Sequence, residues 1–277
     1  MKKITIKTIG AWKKNPKPFS VVTAYDYTSA KIINDSNIPI VLVGDSASMV
    51  TYGFSSTIPV TMDEMILVCR AVSKACSSTF VVGDMPFLSY QSSVATAIKN
   101  AGLILKRGMA EAVKLEGGVE IKSQIKKIVS SGIPVMGHIG LTPQSVNQLS
   151  GHRIQGKDIQ SAQKIIDDAK AVEDAGAFAV VLECIPSELS KLISNQLSIP
   201  TIGIGAGPHC DGQVQVWHDI LGLIDNFNPK HAKKYLKLSD NITKALNKYN
   251  SDVANKKFPK KQHASSCSPN IIKQLNK

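Results

Sequence analysis

A chain of 277 residues is long enough to bury a large core, either as one barrel or as two smaller domains. Aromatics make up only 5% of it, which suits helices and strands better than an all-β sandwich, and no apolar run approaches the roughly 20 residues of a membrane span. The net charge of +12 would ordinarily point to nucleic acid or an anionic membrane, but from Asn228 onward twelve Lys face only Asp240 and Asp252, leaving about +2 for the first 227 residues.

The basic character therefore belongs to a Lys- and Pro-containing tail, which reads as a disordered segment from about residue 251 to 277. Neither a nucleic-acid partner nor a membrane is expected. Met1 to Lys17 is Lys-rich but has no apolar core of a secretory signal, and the five dispersed cysteines form no zinc-type cluster, so a cytoplasmic protein with reduced thiols is expected.

In chain order, the spacing predicts strands over Ser20–Tyr25, Pro39–Gly44, Thr79–Gly83, Ala112–Leu115, Pro134–Gly137, Phe178–Leu182, Thr201–Ile204 and Leu221–Ile224. Helices are predicted between them: Thr28–Asn37, a run to Cys76 opened by a capping box from Thr61 to Glu64, Ser92–Lys106, Val119–Ser131, Asp158–Ala175 and Ser187–Gln196. A last helix pair is expected within Lys230–Asn250. Three strands follow near-copies of one junction, Ser36-Asn37-Ile38-Pro39, Ser131-Gly132-Ile133-Pro134 and Leu197-Ser198-Ile199-Pro200. Proline cannot continue a helix and pushes its predecessor toward extended backbone, so the repeated junction argues for a repeated βα unit. The fold class is α/β, a (β/α)8 barrel as a single catalytic domain over residues 1–250, with an open doubly wound sheet as the alternative.

Four apolar runs end on a carboxylate, at Asp45, Asp84, Glu116 and Glu183. In a closed parallel barrel the C-terminal strand ends share one mouth, so these acids are expected to converge there. Alternate strand residues face one side, which sends Lys114 and Glu116 together into the barrel as ligand contacts or as a buried ion pair. Asp45 and Asp84, with Glu116, would repel one another unless a cation or a proton stands among them; oxygen donors without sulfur favour Mg²⁺. As strand-end aspartates they could also cap the following helices. His138 closes the fifth strand as a catalyst or a structural hydrogen-bonder, and Gly203-Ile204-Gly205-Ala206-Gly207 could cradle a phosphate or pack closely.

The order of Thr23-Ala24-Tyr25-Asp26-Tyr27, Val43-Gly44-Asp45-Ser46, Lys114-Leu115-Glu116-Gly117-Gly118, Gly137-His138-Ile139-Gly140-Leu141-Thr142-Pro143-Gln144-Ser145, Leu182-Glu183-Cys184-Ile185-Pro186 and Asp211-Gly212-Gln213 resembles the ketopantoate (3-methyl-2-oxobutanoate) hydroxymethyltransferase family, over about residues 3 to 250. The resemblance implies a barrel of the phosphoenolpyruvate/pyruvate-binding type that binds Mg²⁺ and 3-methyl-2-oxobutanoate. It implies 5,10-methylenetetrahydrofolate as one-carbon donor, a role in pantothenate biosynthesis and a homo-oligomer, commonly a decamer. Position by position, Asp45, Asp84 and Glu116 match the metal-site acids; Asp45, Ser46, Asp84 and Lys114 match residues at the keto acid; Glu183 matches the proton acceptor; His138 is a possible accessory to the enolate. Ala47-Ser48, Phe54-Ser55 and His152 within Gly151-His152-Arg153 depart from the family's usual residues beside the site. A Mg²⁺-dependent carbon–carbon lyase or phosphonate mutase on the same barrel is the rival reading.

Overall fold

The computed structural model describes residues 2–14, 17–149, 151, 153–224 and 229–275. These fall into two units, Met1–His218 with Pro229–Ala232, and Asp219–Asn228 with Lys233–Lys277. The first runs α1 (Ile6–Lys14), β1 (Phe19–Thr23), α2 (Tyr27–Asp35), β2 (Ile40–Val43), α3 (Ala47–Val50), α4 (Met62–Ala75), β3 (Phe80–Asp84), α5 (Val94–Lys106) and β4 (Ala112–Glu116). It continues through a 3-10 turn (Val119–Ile121), α6 (Lys122–Ser130), β5 (Val135–Gly140), a 3-10 turn (Pro143–Ser145), α7 (Ile159–Asp174), β6 (Ala179–Glu183), α8 (Ser187–Gln196), β7 (Thr201–Ile204) and β8 (Gly212–Gln215). Every neighbouring pair of strands is parallel, and β1 pairs with β8 to close the barrel. The chain continues through α9 (Trp217–Leu221), α10 (Leu238–Ala254), a 3-10 turn (Lys261–His263) and α11 (Pro269–Leu275). No helix among the described residues is long and apolar enough to cross a membrane.

Seven of the predicted strands are present. The eighth is misplaced: β8 is Gly212–Gln215, whereas Leu221 ends α9 and Gly222 turns with φ +62°. The expected helix pair over 230–250 is also corrected. A single helix, α10, begins at Leu238; before it residues 229–237 hold no helix, with a turn at 230–231 and a bend at Tyr235, whose N–H bonds back to Ile220 O (2.8 Å).

Alternate strand residues build the interior. Phe19, Val21, Ile40, Leu42, Phe80, Val82, Ala112, Met136, Ala179, Val181, Ile202, Ile204 and Val214 form one cluster, joined by Ile9 of α1. Each fully buried aliphatic side chain stabilises by roughly 1.5–3 kcal/mol. Continued toward the C-terminal ends, the same alternation reaches Asp84, Lys114, Glu116, His138 and Glu183. The step of two residues that fills the core with hydrocarbon thus places ionisable groups at its mouth.

Local signals fix the frame. Thr61 caps α4 as read from sequence, with Glu64 N–H on its Oγ1 (3.3 Å) and Glu64 Oε2 accepting from Thr61 N–H (2.8 Å). Two of the repeated junctions share a geometry: Asn37 and Gly132 take φ +63° and +85°, and Ile38 N–H and Ile133 N–H reach back five residues to Ile33 O and Ile128 O. The third is built differently. Leu197 is extended, and Ser198 donates its N–H and hydroxyl to Glu173 Oε1 at 2.6 and 2.7 Å. Asp211, in the last of the resembling motifs, belongs to the opposite end of the strands. Its Oδ2 accepts from Thr201 N–H (2.8 Å), Thr201 Oγ1 (2.9 Å) and Lys13 Nζ (2.9 Å), tying α1 to β7.

Candidate active site

Asp84 ends β3, and both of its oxygens are engaged with neighbours. Oδ2 accepts from Asp45 N–H at 3.1 Å, while Oδ1 stands 3.1 Å from Lys114 Nζ of β4 without a well-aligned hydrogen bond. Asp45 reaches the same place from the turn after β2. Gly44 permits that turn: a Cβ there would lie 2.6 Å from Ser46 Oγ and 3.7 Å from Asp84 Oδ2. Asp45 Oδ2 accepts from Gln144 Nε2 (2.8 Å), and Ser46 Oγ shares a 2.8 Å hydrogen bond with Tyr25 Oη.

Glu116, His138 and Glu183 form the other half. Glu116 Oε2 accepts from Gln144 N–H (3.0 Å), and its Oε1 is 3.4 Å from His138 Nδ1. His138 Nδ1 is also 3.2 Å from Lys114 Nζ, and Nε2 is 3.1 Å from Glu183 Oε2. Asp84 and Glu116 each leave 3% of the side chain exposed and Glu183 leaves 16%, so Glu183 is the acid most open to an entering molecule. All seven residues singled out from sequence (Asp45, Ser46, Asp84, Lys114, Glu116, His138 and Glu183) stand in this one constellation. Sequence reasoning missed Gln144 and Tyr90. Both carry no charge and lie outside the strands, and the motif Gly-His-Ile-Gly-Leu-Thr-Pro-Gln-Ser, which contains Gln144, was their nearest signal.

The electrostatics follow from burial among like charges. Burial, then the neighbouring carboxylates of Asp84 and Glu116, hold Asp45 well above the usual carboxylate range. Burial also raises Asp84, against the opposing pull of Lys114. In Glu116 burial is outweighed by the hydrogen bond and charge of His138, and its carboxyl falls. Burial would depress Lys114, but Asp84, Glu116 and Asp45 more than offset it and keep the ammonium protonated. For His138, burial and Lys114 act downward; the adjacent carboxylates of Glu116 and Glu183 prevail and raise it to about 9.

The donor set fits a divalent cation of the Mg²⁺ kind. Two adjacent buried carboxylates, one held far above its ordinary range and the other with a buried oxygen lacking an aligned donor, present the charge and open valence such an ion satisfies. Among the described residues no three His, Cys, Asp or Glu side chains form a closed metal cage. Mg²⁺ needs none, because it is held by one or two carboxylates with waters and substrate oxygens completing an octahedron. Asp45, with one oxygen held by Gln144, and Asp84, whose Oδ1 has no aligned donor, suit direct ligation; Glu116, whose Oε2 accepts from Gln144 N–H and whose Oε1 faces His138, suits support behind them.

The remaining sequence features divide. Gly207 (φ +79°) lies where a Cβ would meet Ser187 Oγ at 2.4 Å, and Ser190 Oγ donates to Ala206 O (2.6 Å), which favours the close-packing reading of the glycine loop. Ala47 and Ser48 are buried, Phe54 and Ser55 are exposed, and His152 lies outside the described residues.

A closed barrel of eight parallel strands is an architecture that solved structures share. A crystal structure of phosphonopyruvate hydrolase with oxalate and Mg²⁺ superposes with a TM-score of 0.61 at 12% identity, covering 100% of this chain and 95% of that one. That of 2,3-dimethylmalate lyase, a PEP mutase/isocitrate lyase superfamily member, gives 0.59 at 14%, covering 98% and 94%. At such identities the likeness shows the fold, a (β/α)8 barrel. The sequence is more specific. The family model for ketopantoate hydroxymethyltransferase matches residues 3–261. Proteins named 3-methyl-2-oxobutanoate hydroxymethyltransferase are 48% identical in Carboxydothermus hydrogenoformans (99% of this chain, 100% of the relative) and 50% identical in Enterococcus faecalis (99% of each). One from Chloroflexus aurantiacus is 52% identical, covering 96% of this chain and 94% of the relative. The chain belongs to the ketopantoate hydroxymethyltransferase family.

Proposed function

We propose that this chain transfers a hydroxymethyl group from 5,10-methylenetetrahydrofolate to 3-methyl-2-oxobutanoate, giving 2-dehydropantoate for pantothenate and coenzyme A biosynthesis. The carrying observation is the division of the mouth: the acids Asp45 and Asp84 stand beside Lys114 on one side, and a more open acid, Glu183, stands beside His138 on the other. Family membership and relatives at about half identity over nearly the whole chain support the substrate.

In this reading Asp45 and Asp84 hold Mg²⁺, with Glu116 behind them. Bound there, the ion supplies Lewis-acid polarisation of the keto group and stabilises the enolate, worth several kcal/mol. Ser46, oriented by Tyr25, and Lys114 bind the keto-acid head, Lys114 balancing its carboxylate. Glu183 takes the proton from C3, a step for which a positioned base typically supplies roughly 10²–10⁴-fold. His138, charged between Glu116 and Glu183, fixes the Glu183 carboxylate so that one oxygen is oriented and the other faces the substrate. The C3 carbon then bonds to the folate's methylene carbon as one of that carbon's two C–N bonds breaks and its nitrogen takes the proton removed from C3. Water replaces the second C–N bond, its hydroxyl staying on the carbon and its proton going to the other nitrogen, so that the hydroxymethyl product and tetrahydrofolate leave.

The catalytic domain is the barrel within residues 1–250, and the Lys-rich 251–277 tail takes no part in the chemistry. The protein acts in the cytoplasm as a homo-oligomer, a decamer by family resemblance, without nucleic acid or membrane partners. Exchange of the C3 proton of 3-methyl-2-oxobutanoate into deuterated solvent, followed by NMR with and without Mg²⁺, tests the proton step. Mg²⁺-dependent exchange is expected; absence of exchange at saturating Mg²⁺ would refute the assignment.

A further inference from the structure

The separation of the mouth's carboxylates depends on a residue that carries no charge. Gln144, only 3% exposed, lies in the turn after β5, and both polar atoms of its side chain and its backbone N–H are engaged. Its side-chain amide donates to Asp45 Oδ2 at 2.8 Å and to Met85 O at 2.9 Å, and its backbone N–H donates to Glu116 Oε2 at 3.0 Å. Its Oε1 accepts from Tyr90 Oη at 2.9 Å and from Gln91 Nε2 at 3.3 Å. Met85 O, a partner of the amide nitrogen, can only accept, and both partners of the oxygen can donate, so the amide has one satisfied orientation. Tyr90 is fully buried; its Oη accepts from Glu116 N–H at 3.1 Å and lies 3.0 Å from Glu116 O.

We propose that Gln144 is a positioning residue for the cation site, holding the carboxylates of Asp45 and Glu116 at a fixed separation, with Tyr90 fixing the amide that does so. The inference rests on the Mg²⁺ reading of Asp45 and Asp84 above. Left alone, the buried carboxylates of Asp45 and Glu116 repel and rotate apart, and a cation binding to Asp45 with Glu116 behind it must first reorganise them. A donor on each removes that cost in advance, and hydrogen bonds to a charged acceptor are roughly twice as strong as neutral ones. The amide occupies one oxygen of Asp45 and leaves the other for an ion.

The test is isothermal titration of Mn²⁺ into the full chain without keto acid, for wild type, Gln144→Met and Tyr90→Phe. Gln144→Met keeps side-chain length and the backbone donor to Glu116 while deleting the amide. Its Kd for Mn²⁺ is expected to rise about tenfold, ~1.4 kcal/mol. Tyr90→Phe, in which Gln91 still holds the amide oxygen, is expected to weaken binding by about threefold, ~0.7 kcal/mol. The C3-proton exchange of Gln144→Met should recover toward wild type at saturating Mg²⁺, a recovery that a merely misfolded site would not show. A Kd within twofold of wild type in both variants overturns the proposal, whatever their melting temperatures do. If Gln144→Met does not fold, Tyr90→Phe decides alone, and an unchanged Kd there overturns it. A wild type that binds no Mn²⁺ overturns the cation reading itself, whereas wild-type binding with unaffected variants overturns only the role of Gln144.

Discussion

Lys114 is the single lysine ammonium inside the acid cluster among the described residues, which makes Lys114→Met a demanding perturbation. Methionine preserves most of the side chain's length and hydrocarbon while deleting the charge 3.1 Å from Asp84 Oδ1, in a pair whose side chains are 4% and 3% exposed. Removing one partner of a buried pair typically costs about 3–5 kcal/mol, because the remaining charge is left uncompensated. Lys114 also stands 3.2 Å from His138 Nδ1, and relief of that like-charge contact places the expectation at about 3 kcal/mol, the lower end of that range. The sign of the pH dependence follows from Asp84, whose carboxyl burial already raises; without Lys114 it rises further. Folding then takes up a proton at that site, and the variant recovers stability as pH falls. Urea unfolding of metal-free protein should therefore show a wild-type advantage that is largest above neutrality, narrows toward pH 5, and narrows again when Mg²⁺ supplies the missing positive charge. A difference below about 1 kcal/mol, the range of exposed ion pairs, that ignores both pH and Mg²⁺ would refute the picture of a buried, mutually compensating cluster.

Three further expectations follow from the same geometry. Glu183→Gln should lose C3-proton exchange by roughly 10²–10⁴-fold while its Mg²⁺ titration stays at the wild-type value; wild-type exchange would remove Glu183 from the base role. Asp84→Ala should raise the Mg²⁺ concentration required for activity sharply, and an unaltered titration would count against Asp84 as a ligand. His138, raised to about 9 from an ordinary 6.5, contributes stability that is fully present below pH 6.5 and lost as pH rises through about 9. In metal-free protein the stability gap to His138→Gln should shrink over that window by on the order of 3 kcal/mol, and a gap that grows with pH would contradict the charged imidazole.

Much of this was legible in sequence because the barrel repeats itself. A short β-branched run ending on an acid recurs four times, and the period-two alternation sends Lys114 and Glu116 inward on a strand whose odd positions are apolar. The last strand was not legible. Gly212-Gln213-Val214-Gln215 has one apolar side chain, Val214, facing the core, and the more apolar Leu221–Ile224 drew the assignment instead. Asp45 shows a subtler limit. It lies one residue beyond the inward-facing position that Gly44 occupies, and only the turn at Gly44 brings its carboxyl to Asp84. Gln144 and Tyr90 receive no role from the sequence, because neutral hydrogen-bonding groups in loops generate neither periodicity nor charge pattern; Gln144 lies in one of the resembling motifs, but the importance of both lies in distances that only the folded chain has. Asp211 is the converse case, a member of a specific motif whose contacts tie α1 to β7 rather than serve the mouth.

The most direct measurement offers the purified chain 3-methyl-2-oxobutanoate with 5,10-methylenetetrahydrofolate and follows 2-dehydropantoate by mass spectrometry, with Mg²⁺ and after its removal by chelation. Product that forms with Mg²⁺, disappears on chelation and returns on re-addition is the predicted result. No product at saturating Mg²⁺, alongside carbon–carbon or carbon–phosphorus bond cleavage of a dicarboxylate or phosphonopyruvate substrate, would contradict the account and assign the barrel to its lyase and mutase neighbours.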